Sequence, residues 1–195
     1  MARADTRNRI LDAALSAFAG RGFEATSLDS LAAELGVRKQ TILYWFESKD
    51  ALLAEVIDRS AEELSQVLEE SLVRSEPGFG RIEAIVRSVF RLAGRRPELL
   101  GLLREVSRLG PKAAGQLMGR LDPLIQRATM FLANEMDAGA IRRQDPRLLL
   151  LSTYSTVVGV ATEVEVLRGL GIEPTARSLA RRRGELIEFL RSALH

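Results

Sequence analysis

Apolar residues recur three or four positions apart almost everywhere along the chain. No stretch alternates with the period of two that a half-buried strand requires, so the pattern predicts an all-α protein. Ile10, Leu11, Ala14, Leu15 and Phe18 form the first stripe, closed by Gly20 and Gly22, which can take the left-handed conformation that ends helices. Leu28, Leu31, Ala32 and Leu35 form a short second stripe, with Thr26 and Ser27 as candidate caps before it and Gly36 after it. A third short helix is predicted from about Lys39 to Trp45. Ser48 then stands where an N-cap belongs, ahead of a long run from Lys49 to about Val73 that the cluster Ser75, Glu76, Pro77, Gly78 stops.

Longer helices are predicted over 81–93, 97–109 and 111–138, with Pro97 and Pro111 at first-turn positions where a missing N–H does no harm. Pro123 lies inside the last of these and is expected to kink or split it, because its ring removes a donor and crowds the preceding turn. Asp145 and Pro146 open a helix that runs to Leu170 and closes at Gly171, and a final helix covers 175–194. The expectation is about nine helices, the first three short and close together and the rest long.

The segment from Leu28 to Glu47 has the spacing of a helix-turn-helix. Two short helices that cross steeply through a tight turn need apolar residues where they face each other, a small residue where their backbones approach, and a turn residue that accepts positive φ. Leu31, Leu35, Val37, Ile42 and Trp45 meet the first need, with Phe46 just beyond; Ala32 meets the second and Gly36 the third. With that set inward, Arg38, Lys39, Gln40, Leu43 and Tyr44 face outward. Arginine, lysine and glutamine can pair with base edges in a major groove, and Leu43 can pack on a thymine methyl. Thr41, Tyr44 and Lys49 can donate to phosphates, as can backbone amides at the helix starts near Ser27 and Lys49. A solvated helix surface accounts equally well for the polar positions. It does not account for Leu43, Tyr44 and Trp45 in a row.

Composition narrows the chemistry. Among 195 residues there is no cysteine, and the one histidine is His195, so thiolate nucleophiles, disulfides, cysteine-ligated zinc and histidine-based triads are disfavoured. No glycine-rich phosphate loop appears, and no carboxylate spacing singles out an acid–base pair, so an enzyme, a metal site and a cofactor are not expected. The first nine residues lack the apolar run of a secretory leader. The longest nearly uncharged stretch, 148–162, is shorter than the roughly 20 residues of a membrane-spanning helix. A soluble, cytoplasmic protein is expected. The net charge of +2 does not by itself indicate a nucleic-acid partner, and residues 1–49 hold seven basic side chains against six acidic ones. Placement decides instead: Arg3, Arg7 and Arg9 with Arg38, Lys39 and Lys49 can make one positive face, predicting salt-sensitive DNA affinity with few phosphate contacts.

The first ~55 residues resemble the DNA-binding domain of the TetR (tetracycline repressor) family of bacterial transcriptional regulators. Ile10, Leu11, Ala14 and Phe18, then Gly22 and Phe23, then Thr26, Ser27 and Leu28, the segment 35–39, Thr41, and finally Phe46, Ser48, Lys49 and Leu52 carry the likeness in order and spacing. It implies a helix-turn-helix DNA-binding domain over 1–48 and a helical ligand-binding and dimerisation domain over 49–195. It further implies that Thr26, Ser27, Thr41 and Lys49 hold phosphates while Lys39, Gln40, Leu43 and Tyr44 lie in the major groove. One departure stands out. Where many members carry tyrosine this chain has Leu43, its tyrosine falling one residue later at Tyr44, which turns the side chain by about 100°. Trp45 is read as a packing residue.

A single small helix-turn-helix reads few base pairs, so a homodimer reading two half-sites is expected. The apolar excess of Leu148 to Leu151, Val157, Val158, Val160, Ala161, Val164 and Leu167, with Gly159 allowing close approach, marks one pairing helix. Leu179, Leu186, Phe189 and Leu190 mark the other, and by resemblance the two meet their mates in a four-helix bundle; internal core is the alternative. Phe90, Met118, Met130, Phe131 and Tyr154 are the candidates to line a small-molecule cavity, with Arg104, Glu105 and Glu135 as polar contacts. The resulting expectation is a repressor on a palindromic operator, released when an effector changes the spacing of the reading heads. The rival is a helical module that binds small molecules or proteins without DNA.

Overall fold

The computed structural model describes residues 2–73, 75–76 and 78–194, with side chains from residue 5 onward. The side chain of Arg3, together with Pro77 and His195, lies outside the described residues. Among those described, ten helices and no strands are found: α1 (Ala2–Arg21), α2 (Leu28–Leu35), α3 (Lys39–Trp45), α4 (Lys49–Val73), α5 (Phe79–Arg95), α6 (Pro97–Arg108), α7 (Pro111–Asp137), α8 (Pro146–Thr162), α9 (Val164–Gly169) and α10 (Ala176–Leu194). None is long and apolar enough to cross a membrane. The chain forms two compact units, Met1–Leu64 with Glu98–Leu121, and Ser65–Pro97 with Asp122–His195. The division falls inside α4 after Leu64, inside α6 after its first residue Pro97, and inside α7 after Leu121.

In the first unit the α1 stripe is buried as the pattern predicts, with Ile10, Leu11, Ala14, Leu15 and Phe18 all nearly inaccessible. Leu31, Ile42, Phe46, Leu52 and Val56 add to its core. Truncating one such side chain to alanine costs about 2–5 kcal/mol, a large share of a domain's stability. Helix α6 buries Leu99, Leu100, Leu102, Leu103 and Val106, far more than one face. Gly101 lets it approach α1: a Cβ there would lie 3.1 Å from the Ala19 Cβ and 3.3 Å from the Ala19 carbonyl oxygen. Helices α4 and α7 are tied by polar contacts. The Arg120 guanidinium donates from Nε (2.9 Å) and Nη2 (2.7 Å) to the two oxygens of Asp58, and Gln116 donates to Asp58 Oδ1 (2.9 Å) and the Ala54 carbonyl (3.0 Å). Arg120 foremost, with Gln116 assisting, holds the Asp58 carboxyl below its ordinary pKa against an opposing effect of burial.

In the second unit α10 packs on α5 and α8, and α5 on α8, around Val86, Phe90, Val157, Val158, Ile187 and Leu190. Helix α7 runs on through Pro123 rather than splitting there. The predicted helix from Pro146 to Leu170 is broken: Glu163, with ψ of 70°, leaves the helical region and α9 starts afresh. No glycine or proline marks this break. Two causes act together. Valines and threonines crowd the segment and lower its helical preference. The buried Arg182 of α10 also donates to the Val160 carbonyl, one of the groups a helix end leaves unsatisfied. Thr175 proves to be the cap of α10 rather than its first residue, exchanging hydrogen bonds of 3.1 Å with Ser178.

Candidate nucleic-acid interface

The turn that leads into the helix-turn-helix begins at Gly22, whose φ of +91° reverses the chain after α1. Ser27 caps α2 by a reciprocal bond pair: the Ser30 N–H donates to Ser27 Oγ (3.0 Å) and the Ser27 N–H to Ser30 Oγ (3.1 Å). Gly36, at φ +66°, closes α2, and the Val37 N–H reaches back to the Ala32 carbonyl (3.0 Å), the six-residue closure of a Schellman turn. Three residues, Gly36 to Arg38, thus join α2 to α3, and both helix ends at the turn are set by backbone bonds rather than by flexible side chains. Leu31, Ala32, Ile42 and Phe46 are buried at the crossing, with Leu35, Val37 and Trp45 half-buried.

Arg38, the N-cap of α3, and Gln40, Leu43 and Tyr44 within the helix are exposed, whereas Lys39 and Thr41 are half-buried. Leu43 keeps 38% of its surface open and Tyr44 67%. The Tyr44 ring meets Trp45 edge-on with centroids 5.2 Å apart, consistent with a packing role for Trp45.

The phosphate expectations fare differently one by one. Thr26 is 1% exposed, and its hydroxyl donates to the Gly22 carbonyl (2.8 Å), so it shapes the turn from inside and its side chain is not on the surface. Lys49 is likewise spent internally. Its ammonium donates to the carbonyls of Phe23 (2.7 Å) and Thr26 (2.9 Å) and lies 4.1 Å from the centre of the Phe23 ring. Two bonds from a charged donor are each worth about 1.5–3 kcal/mol, enough to keep Lys49 where it is. Lys39 is bound more loosely, by an exposed pair to Asp29 (2.9 Å) of a kind worth only about 0.2–1 kcal/mol. Lys39 can therefore change partner at little cost, whereas Lys49 is a tie within the protein. Ser27 is exposed and Thr41 half-buried. No side-chain pattern in the sequence displays the inward pull on Thr26 and Lys49, because it comes from the backbone carbonyls of Gly22, Phe23 and Thr26.

The expected single positive face is thinned by internal pairing. Arg7 binds Glu55 (2.7 Å), Lys39 binds Asp29, and Lys49 is held by the Phe23 and Thr26 carbonyls. Arg9 and Arg38 are exposed with no acidic partner among the described residues. Ser48 does cap α4, accepting from the Ala51 N–H (3.0 Å).

Elsewhere, Phe90 is buried in the second unit, Phe131 lies beneath the Arg81 guanidinium (5.2 Å), and Tyr154 is partly covered, which pushes its phenol pKa up. Met118 and Met130 expose 52% and 61% on α7. Met118 also belongs to the first unit and the other four to the second, so the five do not converge on one cavity within either unit. Glu105, weighed as a polar ligand contact, instead accepts from the Phe23 N–H (2.6 Å). Of the pairing residues, Val157, Leu186 and Leu190 are buried in their own unit, Gly159 and Val160 half-buried, and Val164 exposed at the start of α9. The apolar surface left open on α8 and α10 is formed by Leu148, Leu151, Tyr154 and Phe189. The uninterrupted apolar run from Leu148 to Leu151, which covers more than one helix face, was its signal in the sequence.

Residues 10–56 match the family of bacterial regulatory proteins of the tetR type. The chain is 26% identical over 170 residues to the HTH-type transcriptional regulator RutR of Escherichia coli (strain K12), an alignment spanning 84% of this chain and 78% of RutR. It is 21% identical over 148 residues to IcaR of Staphylococcus aureus (strain Newman), a negative transcriptional regulator of a biofilm operon, spanning 74% of this chain and 78% of IcaR. Among solved structures it resembles AibR in complex with isovaleryl coenzyme A and operator DNA, with a TM-score of 0.80 at 18% identity over 97% of this chain and 99% of AibR.

Proposed function

We propose that the chain, whose residues 10–56 match the bacterial regulatory proteins of the tetR family, is a transcriptional repressor that reads a palindromic operator as a homodimer and releases it on binding a small molecule. One observation carries the reading: Arg38 at the N-cap of α3 and Gln40, Leu43 and Tyr44 within it are exposed on a helix whose two neighbouring turns are closed by backbone bonds. Side chains that read base edges must be held in register, and this frame holds them. Lys39, once released from Asp29, joins them, and Ser27 and Thr41 hold phosphates on either side. The functional division proposed is a reading head over 1–48 and an effector and pairing region over 49–195.

The homodimer is supported by the apolar surface of Leu148, Leu151, Tyr154 and Phe189 on α8 and α10, which a second copy would cover. The effector acts only through its differential affinity for the DNA-competent and DNA-incompetent states, a coupling of about 1–3 kcal/mol in such switches. The reading is supported by AibR, which is found in complex with isovaleryl coenzyme A and operator DNA, and by IcaR, a negative transcriptional regulator.

The test is a salt titration of affinity for duplex DNA with the wild type and with Arg38→Ala plus Gln40→Ala. The expected result is a log-linear fall of affinity with salt, a shallower slope in the variant, and loss of the variant's preference for one duplex over mixed sequence. A wild type that shows no salt-dependent binding, or a variant that keeps full sequence preference, overturns the reading.

A further inference from the structure

Both backbone polar groups of Phe23 are gripped by charges, and the two charges come from different helices. Its N–H donates to the Glu105 carboxylate of α6 at 2.6 Å, across 82 positions of sequence. Its carbonyl accepts from the Lys49 ammonium at the first turn of α4 (2.7 Å) and from the Thr26 N–H (3.1 Å). The ring is fixed as well, edge-on to Phe18 (5.3 Å) and beneath the Lys49 ammonium (4.1 Å). Phe23 is buried, so an amide left without an acceptor there would carry a full desolvation penalty. Helix α6 supplies that acceptor, and the close approach of Gly101 to Ala19 one turn earlier in α6 fixes its distance from α1.

From Phe23 to the recognition helix there is little slack. Only residues 24–26 separate it from the Ser27 cap of α2, and Thr26 is locked to the Gly22 carbonyl. Beyond the cap, α2 passes to α3 through the backbone-closed turn at Gly36 and Val37. A displacement of Phe23 therefore reaches α3 through few soft torsions.

We propose that Glu105 is a positioning residue for DNA reading: through its bond to the Phe23 amide, α6 sets the pose in which α3 meets the groove. The inference rests on the DNA-binding reading above. It assigns Glu105 a reach-dependent role rather than a charge-dependent one, and the two roles predict opposite outcomes. A carboxylate near a DNA-binding face repels phosphates, so if only its charge mattered, neutralising it would tighten binding and shortening it would change nothing.

The experiment compares Glu105→Gln, which loses the charge but keeps the reach and an acceptor oxygen, with Glu105→Asp, which keeps the charge but is one methylene short. Ser107→Ala on the same helix is the control. The probe is a duplex selected from a random pool by the wild type; circular dichroism melting establishes that each variant is folded. Positioning predicts near-wild-type affinity for E105Q and S107A and about a tenfold loss for E105D at unchanged salt slope, the scale of one charge-assisted hydrogen bond. Trp45, the only tryptophan, stands in α3 and gives a second readout without DNA. Its emission should shift in E105D and not in E105Q. Tighter binding by E105Q with an unaltered E105D, or an unshifted Trp45 in E105D, overturns the inference. A wild type that selects no duplex defeats the DNA-binding reading instead, and the Trp45 comparison then decides the role of Glu105 by itself.

Discussion

Two exposed surfaces of this protein are built on opposite plans. The face of α3 mixes Arg38, Gln40, Leu43 and Tyr44 over a frame of backbone bonds, whereas the open surface of α8 and α10 shows Leu148, Leu151, Tyr154 and Phe189 over ordinary helix packing. The first suits a partner that offers hydrogen-bonding edges and charge, and its value lies in register. The second suits only another apolar surface, and its value lies in area. A side chain that reads must not move, so the first unit spends its charged groups on holding its own turns; Lys49 and Glu105 both serve Phe23. A surface that merely needs covering demands no such ties.

The largest effect is expected where the apolar surface is given charge. Leu148→Glu with Leu151→Glu places unpaired carboxylates in the proposed pairing surface, at several kcal/mol per buried ion. Dimer dissociation should become at least about 100-fold easier, as sedimentation equilibrium would show, with the helical content intact. Unchanged self-association would remove that surface from the comparison.

The second effect separates the two lysines of the head. Lys49→Ala should lower unfolding free energy by about 2–4 kcal/mol, since two charged-donor bonds and a ring contact are lost. Lys39→Ala should change it by less than about 1 kcal/mol, since only an exposed pair is lost. Urea unfolding measures both. Equal effects would mean that the division between a structural and a deployable lysine is wrong.

A smaller effect is expected at Asp29. Asp29→Asn frees Lys39 and removes a negative charge beside the recognition helix, so affinity for mixed-sequence duplex should rise a few-fold, with less change for a selected one. A fall in either would show that Asp29 helps to place Lys39 for DNA.

The smallest effect concerns acid. The Asp58 carboxyl is held below its ordinary pKa by Arg120, so its contribution to stability is complete above the unfolded value of about 3.9 and is lost as pH falls from there through the folded value. The stability difference between wild type and Asp58→Asn should thus be flat from neutral pH to about 4 and shrink below it. A difference that persists into stronger acid would show that the Arg120 and Gln116 bonds act independently of the charge.

The helix-turn-helix was legible because its constraints are local: Gly36 marks the turn, the spacing of Leu31 and Ile42 marks the crossing, and Ser48 marks the start of α4. The outward set on α3 follows from the same periodicity. What the sequence hid was set by distant partners. The break at Glu163 depends in part on Arg182, and the amide of Phe23 depends on Glu105. Thr26 and Lys49 turn inward because nearby carbonyls need donors, and carbonyls carry no residue-specific signature. Val157, Leu186 and Leu190 look the same on paper as Leu148 and Leu151; only the packing of α10 against α5 and α8 decides which are core and which are surface.

In the proposed function, paired copies of α3 read DNA. Selection of bound duplexes from a random pool tests it most directly. Paired reading heads should enrich an inverted repeat whose half-site centres lie about one helical turn, 34–36 Å, or a multiple of it apart. Failure to enrich any sequence, or enrichment of a single asymmetric site, would contradict it.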